Sequence, residues 1–291
     1  MITTLADFGF QYGDDGIVIN GDNNTAPYLD IKTVDGLDNV PLKVNSKDYD
    51  GRDGGIYQAE FEQMRTVVIT GEIHGGDVDA APIEPLLDSL KYNFAPTAYP
   101  KPLYIHPHGV AIRQIFCKSG GFHYSWEAMR RWNSSPFSIT LVAEDPTIYG
   151  IETRITPGIL TQPNPGHGFN YAFDYSFGGI NAPTITPVIN YGNKPVGFIA
   201  RFPTGMSVTN PKLYSVTAGR ILTLKMQKSS AEELVIDFYN QTVRVDEASR
   251  RKSVDLEGWF LLQPGQNWIQ YSSDDAVPNG AMQFEALDGY R

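Results

Sequence analysis

The chain has 291 residues, a net charge of −10 and a pI near 4.9, a balance that speaks against nucleic-acid binding by phosphate neutralisation. At 41% hydrophobic and 19% charged it has the composition of a folded chain, long enough for two domains. No stretch approaches the ~20 apolar residues of a spanning helix.

Glycine and proline number 28 and 20, against about 35 together at average usage. With 16 Tyr and 15 Phe, that excess predicts many short strands joined by turns. The start, MITTLADFGFQYGDDG, has neither a basic segment nor an apolar run, so no signal peptide is expected. YLDIK (28–32) and VPLKV (40–44) read as strands. DYDGRDGG (48–55) has the composition of a calcium loop without its register. An EF-hand needs an oxygen ligand at position 5, Gly at 6 and Glu at 12; counted from Asp48 these are Arg52, Asp53 and Ala59. A Gly/Asp turn leading into a strand is the better reading.

MRTVVITGEI (64–73) alternates, with Val67, Ile69 and Ile73 on one face and Thr66, Thr70 and Glu72 on the other. In DAAPIEPLLDSLKYNF the apolar residues Ile83, Leu86, Leu87, Leu90 and Phe94 recur at helical spacing. Asp79 is placed to cap that helix, with Pro82 and Pro85 in or just before its first turn. APTAYPKP stops it. LYIH, VAIRQIFC and FSITLVAED (137–145) resume the strands, and WEAMRRW suggests a second short helix. Arg130-Arg131 and Arg250-Arg251-Lys252 read as solvated faces.

After Gly150 the texture changes. Residues 151–188 are rich in Pro, Gly, Asn and aromatics, including a long loop at TQPNPGHG (161–168). Then VGFIARF, RILTLKM, ELVIDFY, TVRVD, WFLLQ, NWIQYS and AMQFEA follow at short spacing, which predicts a second all-β sandwich. The fold class is therefore mainly β, with domains at 1–150 and 151–291.

Chemistry is sparse. His106-Pro107-His108 would need a third ligand, and His74, His123 and His167 are scattered, so a turn between strands is expected and no metal site. Cys117 lies in an apparent strand and reads as a small buried hydrophobe. Glu232-Glu233 and Asp274-Asp275 are adjacent acids, and neighbours in a strand point to opposite faces. No nucleophile elbow, phosphate loop or dinucleotide fingerprint occurs, so no enzyme and no cofactor are expected. In LEGWFLLQPGQNWIQYSSDD (256–275), Trp259, Phe260, Trp268 and Tyr271 gather around a Pro-Gly turn. Trp259 and Leu261 fall on one face of a strand and Phe260 and Leu262 on the other, which favours burial between layers over an open sugar-stacking platform.

In order along the chain, these landmarks resemble the distal tail proteins of long-tailed, non-contractile bacteriophages. The resemblance rests on GRDGGIYQAEFEQMRTVVITGEIHG, on the single amphipathic helix, and on FSITLVAEDPTIYG with Asp145, Pro146 and Tyr149. It continues through GFNYAFDYSFGG, APTITPVINYG and AGRILTLKM to ELVIDFYNQTVRV, where Asp237 heads a turn. It closes on GWFLLQPGQNWI with Trp259, Leu261, Pro264, Gly265, Asn267 and Ile269. The resemblance implies an N-terminal ring-forming β-domain with one amphipathic helix, followed by a galectin-like β-sandwich. It further implies a homohexamer at the virion tail tip, made in the host cytoplasm, joining the tail tube to the hub or tail-fibre proteins. The tape-measure protein is a further possible neighbour, and DNA passes through the lumen. No specific nucleic-acid binding and no membrane are implied. The alternative is a carbohydrate-binding module that contacts host glycans.

Overall fold

Period-two burial sets the architecture. Along Arg65–His74 every second side chain is buried, Val67, Ile69 and Ile73 among them, while Thr66, Thr70 and Glu72 face the other way. The computed structural model describes residues 5–14, 16–19, 27–38, 40–53, 55–75, 83–158, 185–205, 207–250, 253–254, 258–274 and 282–291. Asp79, Pro82, the 161–168 loop, His167, Arg251, Lys252 and Asp275 lie outside the described residues. The chain divides into two compact units, Met1–Ile151 with Arg291, and Glu152–Tyr290.

The first unit holds β1 (Phe10–Tyr12), β2 (Val18–Ile19), β3 (Tyr28–Asp35), β4 (Leu42–Asp48), β5 (Gly55–Glu62) and β6 (Arg65–His74). Then come α1 (Glu84–Asn93), β7 (Lys101–Ile105), β8 (Arg113–Tyr124), α2 (Trp126–Trp132), β9 (Ser134–Ala143) and β10 (Ile148–Gly150). The main sheet runs β2-β1-β7-β8-β9-β6-β3, with β10 added to β8. Strand β8 is its corner. Arg113–Cys117 pair with β7 and Lys118–Tyr124 with β9, and the register shifts between Ser119 and Gly121. Gly121 takes φ +136, which a side chain rarely adopts, so the double glycine is what lets the strand bulge and turn.

Helix α1 starts later than the periodicity predicts. Ile83 occupies the N-cap with no side-chain cap, Pro85 falls in the first turn, and Leu87 and Leu90 are buried. Its C-cap residue Phe94 stacks on Tyr12 at 5.2 Å and on Phe122 at 6.4 Å, fixing the helix against β1 and β8. Helix α2 is capped by Ser125, whose hydroxyl accepts from the Ala128 amide at 3.3 Å. Left-handed Asn133 (φ 48) ends it.

The second unit holds β11 (Arg154–Gly158), β12 (Ile185–Asn190), β13 (Ile199–Phe202), β14 (Val208–Thr209), β15 (Lys212–Ser215), β16 (Arg220–Thr223) and β17 (Gln227–Lys228). It continues with β18 (Leu234–Asp237), β19 (Thr242–Val245), β20 (Ala248–Ser249), β21 (Gly265–Ser272), β22 (Met282–Ala286) and β23 (Gly289–Tyr290). One sheet runs β11-β22-β13-β18-β19-β20, another β12-β21-β15-β16, and β14 pairs β17. Pro157 and Pro187 sit in β11 and β12, the outermost strands of these two orders, where a missing N–H costs no ladder bond. Phe202 of one sheet meets Tyr271 of the other at 5.4 Å, and Phe198 stacks on Phe238 at 4.1 Å. Each such fully buried aromatic stabilises the sandwich by about 1.5–3 kcal/mol.

WFLLQ, expected as a strand, is not one. Its one ladder contact is an isolated bridge from Leu262 to Val196, so residues 258–264 lead into β21 outside any named strand rather than as one arm of a closing hairpin. Trp259, Phe260 and Leu262 are all buried and only Leu261 is exposed, so the expected two-faced alternation does not occur there. The polar reason lies at Asn267. Its side chain accepts from the Gln263 amide at 2.8 Å and donates to the Gln263 carbonyl at 2.7 Å, folding the chain back at Pro264-Gly265.

Candidate assembly surface

The most exposed ordered element is the hairpin β4–β5. Gly51 (φ +76) lies in the turn, where Arg52 covers the Tyr49 ring at 3.9 Å. Hydrogen bonding pairs Leu42 with Glu62 at the root and Asp48 with Gly55 near the tip, with a register shift between Asn45 and Ser46. No other strand pairs with it among the described residues. All of β4 is exposed, and Leu42, Val44, Ile56, Tyr57 and Phe61 each leave about half their surface in water.

A groove of about 660 Å³ lies along β3, lined by Ile31, Val34, Leu37, Phe8, Ile105 and Pro107 among others. Phe8 stands at its lip with φ 61, its ring stacked on His108 at 5.8 Å. The Asp7 carboxylate lies 2.7 Å from His108 Nδ1 and 3.6 Å from His106 Nε2, and His106 Nδ1 contacts the Leu5 carbonyl at 2.7 Å. The two histidines thus tie the start of the chain to the turn between β7 and β8. No group of three or more His, Cys, Asp or Glu among the described residues is placed to hold a metal ion.

The motif residues singled out in sequence occupy turns and do not converge on one site. Asp145 accepts from the Thr147 amide at 3.0 Å and from the Tyr149 hydroxyl, bracing the turn at Pro146 that leads into β10. Asp237, at 6% exposure, accepts from the amides of Tyr239 (2.9 Å) and Asn240 (3.0 Å) and from Asn240 Nδ2 (2.8 Å). That network closes the β18–β19 turn. Gly265 takes φ +91 and starts β21 beside Asn267. Trp259 packs edge-on against Phe238 at 5.2 Å and 81°. It belongs to the core.

The adjacent acids are likewise structural. Ser229 donates from its amide and its hydroxyl to Glu232, both at 2.9 Å, and holds that carboxyl below its ordinary range. Glu233 instead faces Arg201 Nη1 at 3.0 Å, and Arg201 also grips Glu285 at 2.8 Å. Asn210 and Lys212 donate to Asp274 at 2.8 and 3.0 Å and lower its pKa. Cys117 is buried, and burial pushes its thiol up to about 12 despite nearby Arg65.

Sequence reasoning missed two surfaces. One is the hairpin, whose strands alternate as if half-buried. The other is the outer face of the β12-β21-β15-β16 sheet, where Ile185, Gln270, Tyr214 and Ile221 align across the strands and Trp268 stands beside Pro187. Trp268 and Ile221 are 41% and 48% exposed.

A family model described as siphovirus-type tail component, C-terminal domain, matches residues 191–286. No curated protein matches the chain in sequence. In fold the chain is similar to the Dit protein of phage SPP1, described as a paradigm of the hub adsorption apparatus in phages infecting Gram-positive hosts. That likeness has a TM-score of 0.66 at 12% identity and covers 98% of this chain and 100% of that one. A chain of the phage P2 baseplate, in its activated conformation with calcium, gives a TM-score of 0.52 at 10% identity, over 96% and 97% of the two chains. Residues 191–286 thus match a siphovirus-type tail-component domain, and the fold of the SPP1 Dit protein runs along 98% of the chain.

Proposed function

We propose that this chain is a structural protein of the phage tail tip. It assembles as a homohexameric ring joining the tail tube to the hub or tail-fibre proteins, with DNA passing through the lumen. Residues 1–150 form the ring, and residues 151–291 form a galectin-like sandwich carried on its outside. The observation that carries this reading is a Dit-like fold running the length of the chain, together with the tail-component match at 191–286. The exposed apolar hairpin supports self-association, since apolar side chains left in water on an ordered element mark a contact surface. An acidic chain also suits a lumen that DNA must leave without sticking.

Mass photometry across a concentration series, with negative-stain images of the largest species, tests the reading. Six-fold rings are expected. Monomers at every concentration, with and without the tail tube protein, would overturn it. A second reading, binding of host glycans, draws on the exposed Trp268, which shares the outer sheet face with Tyr214. A glycan array would show binding lost in Trp268→Ala if that face is a sugar platform.

A further inference from the structure

An isolated two-stranded hairpin is marginal in water, yet β4–β5 is built with two distinct faces. Cross-strand partners share a face, so the register sorts the side chains. Leu42, Val44 and Tyr57 lie on one face with Asp48, Glu60 and Glu62. Phe61, Ala59 and Ile56 lie on the other with Lys43 and Lys47. The register shift after Asn45 sets this partition, because it carries Tyr57 to the acidic face and Ile56 to the basic one. The Tyr57 hydroxyl donates to Glu60 at 2.7 Å, which places the two on the same face.

Both faces combine exposed apolar groups with charge of a single sign. Tyr57 is 58% exposed on the acidic face and Phe61 is 55% exposed on the basic face. Neither Lys43 nor Lys47 has an ion-pair partner among the described residues. At the root, Leu42, Glu60 and Glu62 border a hollow of about 310 Å³, with Asp38, Val40 and Arg291 completing its lining. Lys43 and Phe61 stand at the same level on the opposite face.

We propose that the hairpin is the joint between copies of this chain, the acidic face of one hairpin packing on the basic face of the next. The inference rests on the ring reading above and names the surface that would make the ring. Charge complementarity selects a second copy as the occupant, because each chain carries both halves of the contact. The two halves differ, so the contact is heterologous and propagates from copy to copy until it closes. Stacked β faces lie ~10 Å apart, close enough for Lys43 and Lys47 to reach Glu60 and Asp48 of the neighbour while Phe61 and Ile56 cover Leu42, Val44 and Tyr57.

Charge reversal on the full chain tests this. One variant carries Lys43→Glu and Lys47→Glu, a second carries Asp48→Lys and Glu60→Lys, and a third carries all four changes. The substituted side chains are exposed, so circular dichroism and Tm should match the parent. Each two-site variant should lose self-association about 100-fold or more, since like charges face each other across the contact. The four-site variant and an equimolar mixture of the first two should both recover it. Recovery in the mixture requires alternating copies, which an even-numbered ring allows. If the parent assembles and both two-site variants assemble equally well, the hairpin joint is wrong and the ring reading survives. Loss in both variants without rescue by the mixture would also overturn the joint, placing the hairpin on a different partner. A parent that never assembles would overturn the ring reading and the joint with it.

Discussion

Trp259 is where the sandwich and the sugar platform make opposite forecasts. Its indole is 8% exposed and meets Phe238 edge-on at 5.2 Å, while Phe238 in turn contacts Phe198 and Phe260 at 4.1 and 4.8 Å. Trp259→Ala therefore removes the ring that covers Phe238 at the edge of this cluster, and large-to-small changes of this type cost about 3–5 kcal/mol. For a unit of this size that lowers Tm by roughly 10–20 °C. The Arg220 guanidinium bonds the Trp259 carbonyl at 3.1 Å, a contact the substitution leaves in place. Indole Nε1 has no hydrogen-bond partner among the described residues, so the side chain contributes by packing. Trp259→Phe should then cost less than about 1.5 kcal/mol. Differential scanning calorimetry with urea titration reads both variants. An alanine variant with the parent's Tm, and a phenylalanine variant no better than alanine, would refute the packing argument.

Other consequences are local. Asp237→Ala strips three accepted hydrogen bonds from the β18–β19 turn and should cost about 1–3 kcal/mol; hydrogen exchange at the Tyr239 and Asn240 amides should quicken, and unchanged protection would contradict the assignment. Gly121→Val forces a branched side chain to φ +136 with His123 Nε2 only 3.2 Å from its Cβ, so a loss of about 1–3 kcal/mol is expected in urea melts. Burial pushes Cys117 up to about 12, and burial with the Asp14 hydrogen bond pushes Tyr104 up to about 12, from ordinary values of 9.0 and 10.0. The folded chain holds protons that the unfolded chain releases, so this contribution is intact below pH 9.0 and is lost as pH rises towards about 12. A urea midpoint that does not fall between about pH 8 and about pH 11 would contradict the burial of both groups.

Much of the fold is legible where one physical rule acts alone. Strand β6 announces itself because Val67, Ile69 and Ile73 all bury on one face, and α1 because Leu87 and Leu90 must. The Asp237 turn is legible because a short carboxylate before two amides is a local device. Where two rules compete, the sequence misleads. WFLLQ is apolar up to Gln263 and reads as a strand, yet the Asn267 side chain captures the Gln263 backbone and bends the chain away. Proline spacing likewise limits where α1 is permitted to begin without naming its cap, and Ile83 holds the N-cap position with no side-chain hydrogen bond. The hairpin is the hardest case. Its alternation says that one face of each strand will be covered, and says nothing of what covers it. The register shift that assigns Tyr57 and Ile56 to opposite faces leaves no mark in composition or period.

That last point bears on how copies would meet in the proposed ring. At −10, two copies repel at a distance, although screening at physiological salt confines the repulsion to about 8 Å. Within that range the distribution of charge matters more than its sum. In the proposed joint, an approach that lays Lys43 and Lys47 over Asp48 and Glu60 exchanges repulsion for attraction, and the same approach would bury Phe61 and Ile56 against Leu42, Val44 and Tyr57. Apolar burial is non-directional, so without the charges the hairpin would be an aggregation hazard of the kind exposed strands present. With them, one orientation is favoured out of many, and in the proposed ring that orientation is the one repeated at every joint.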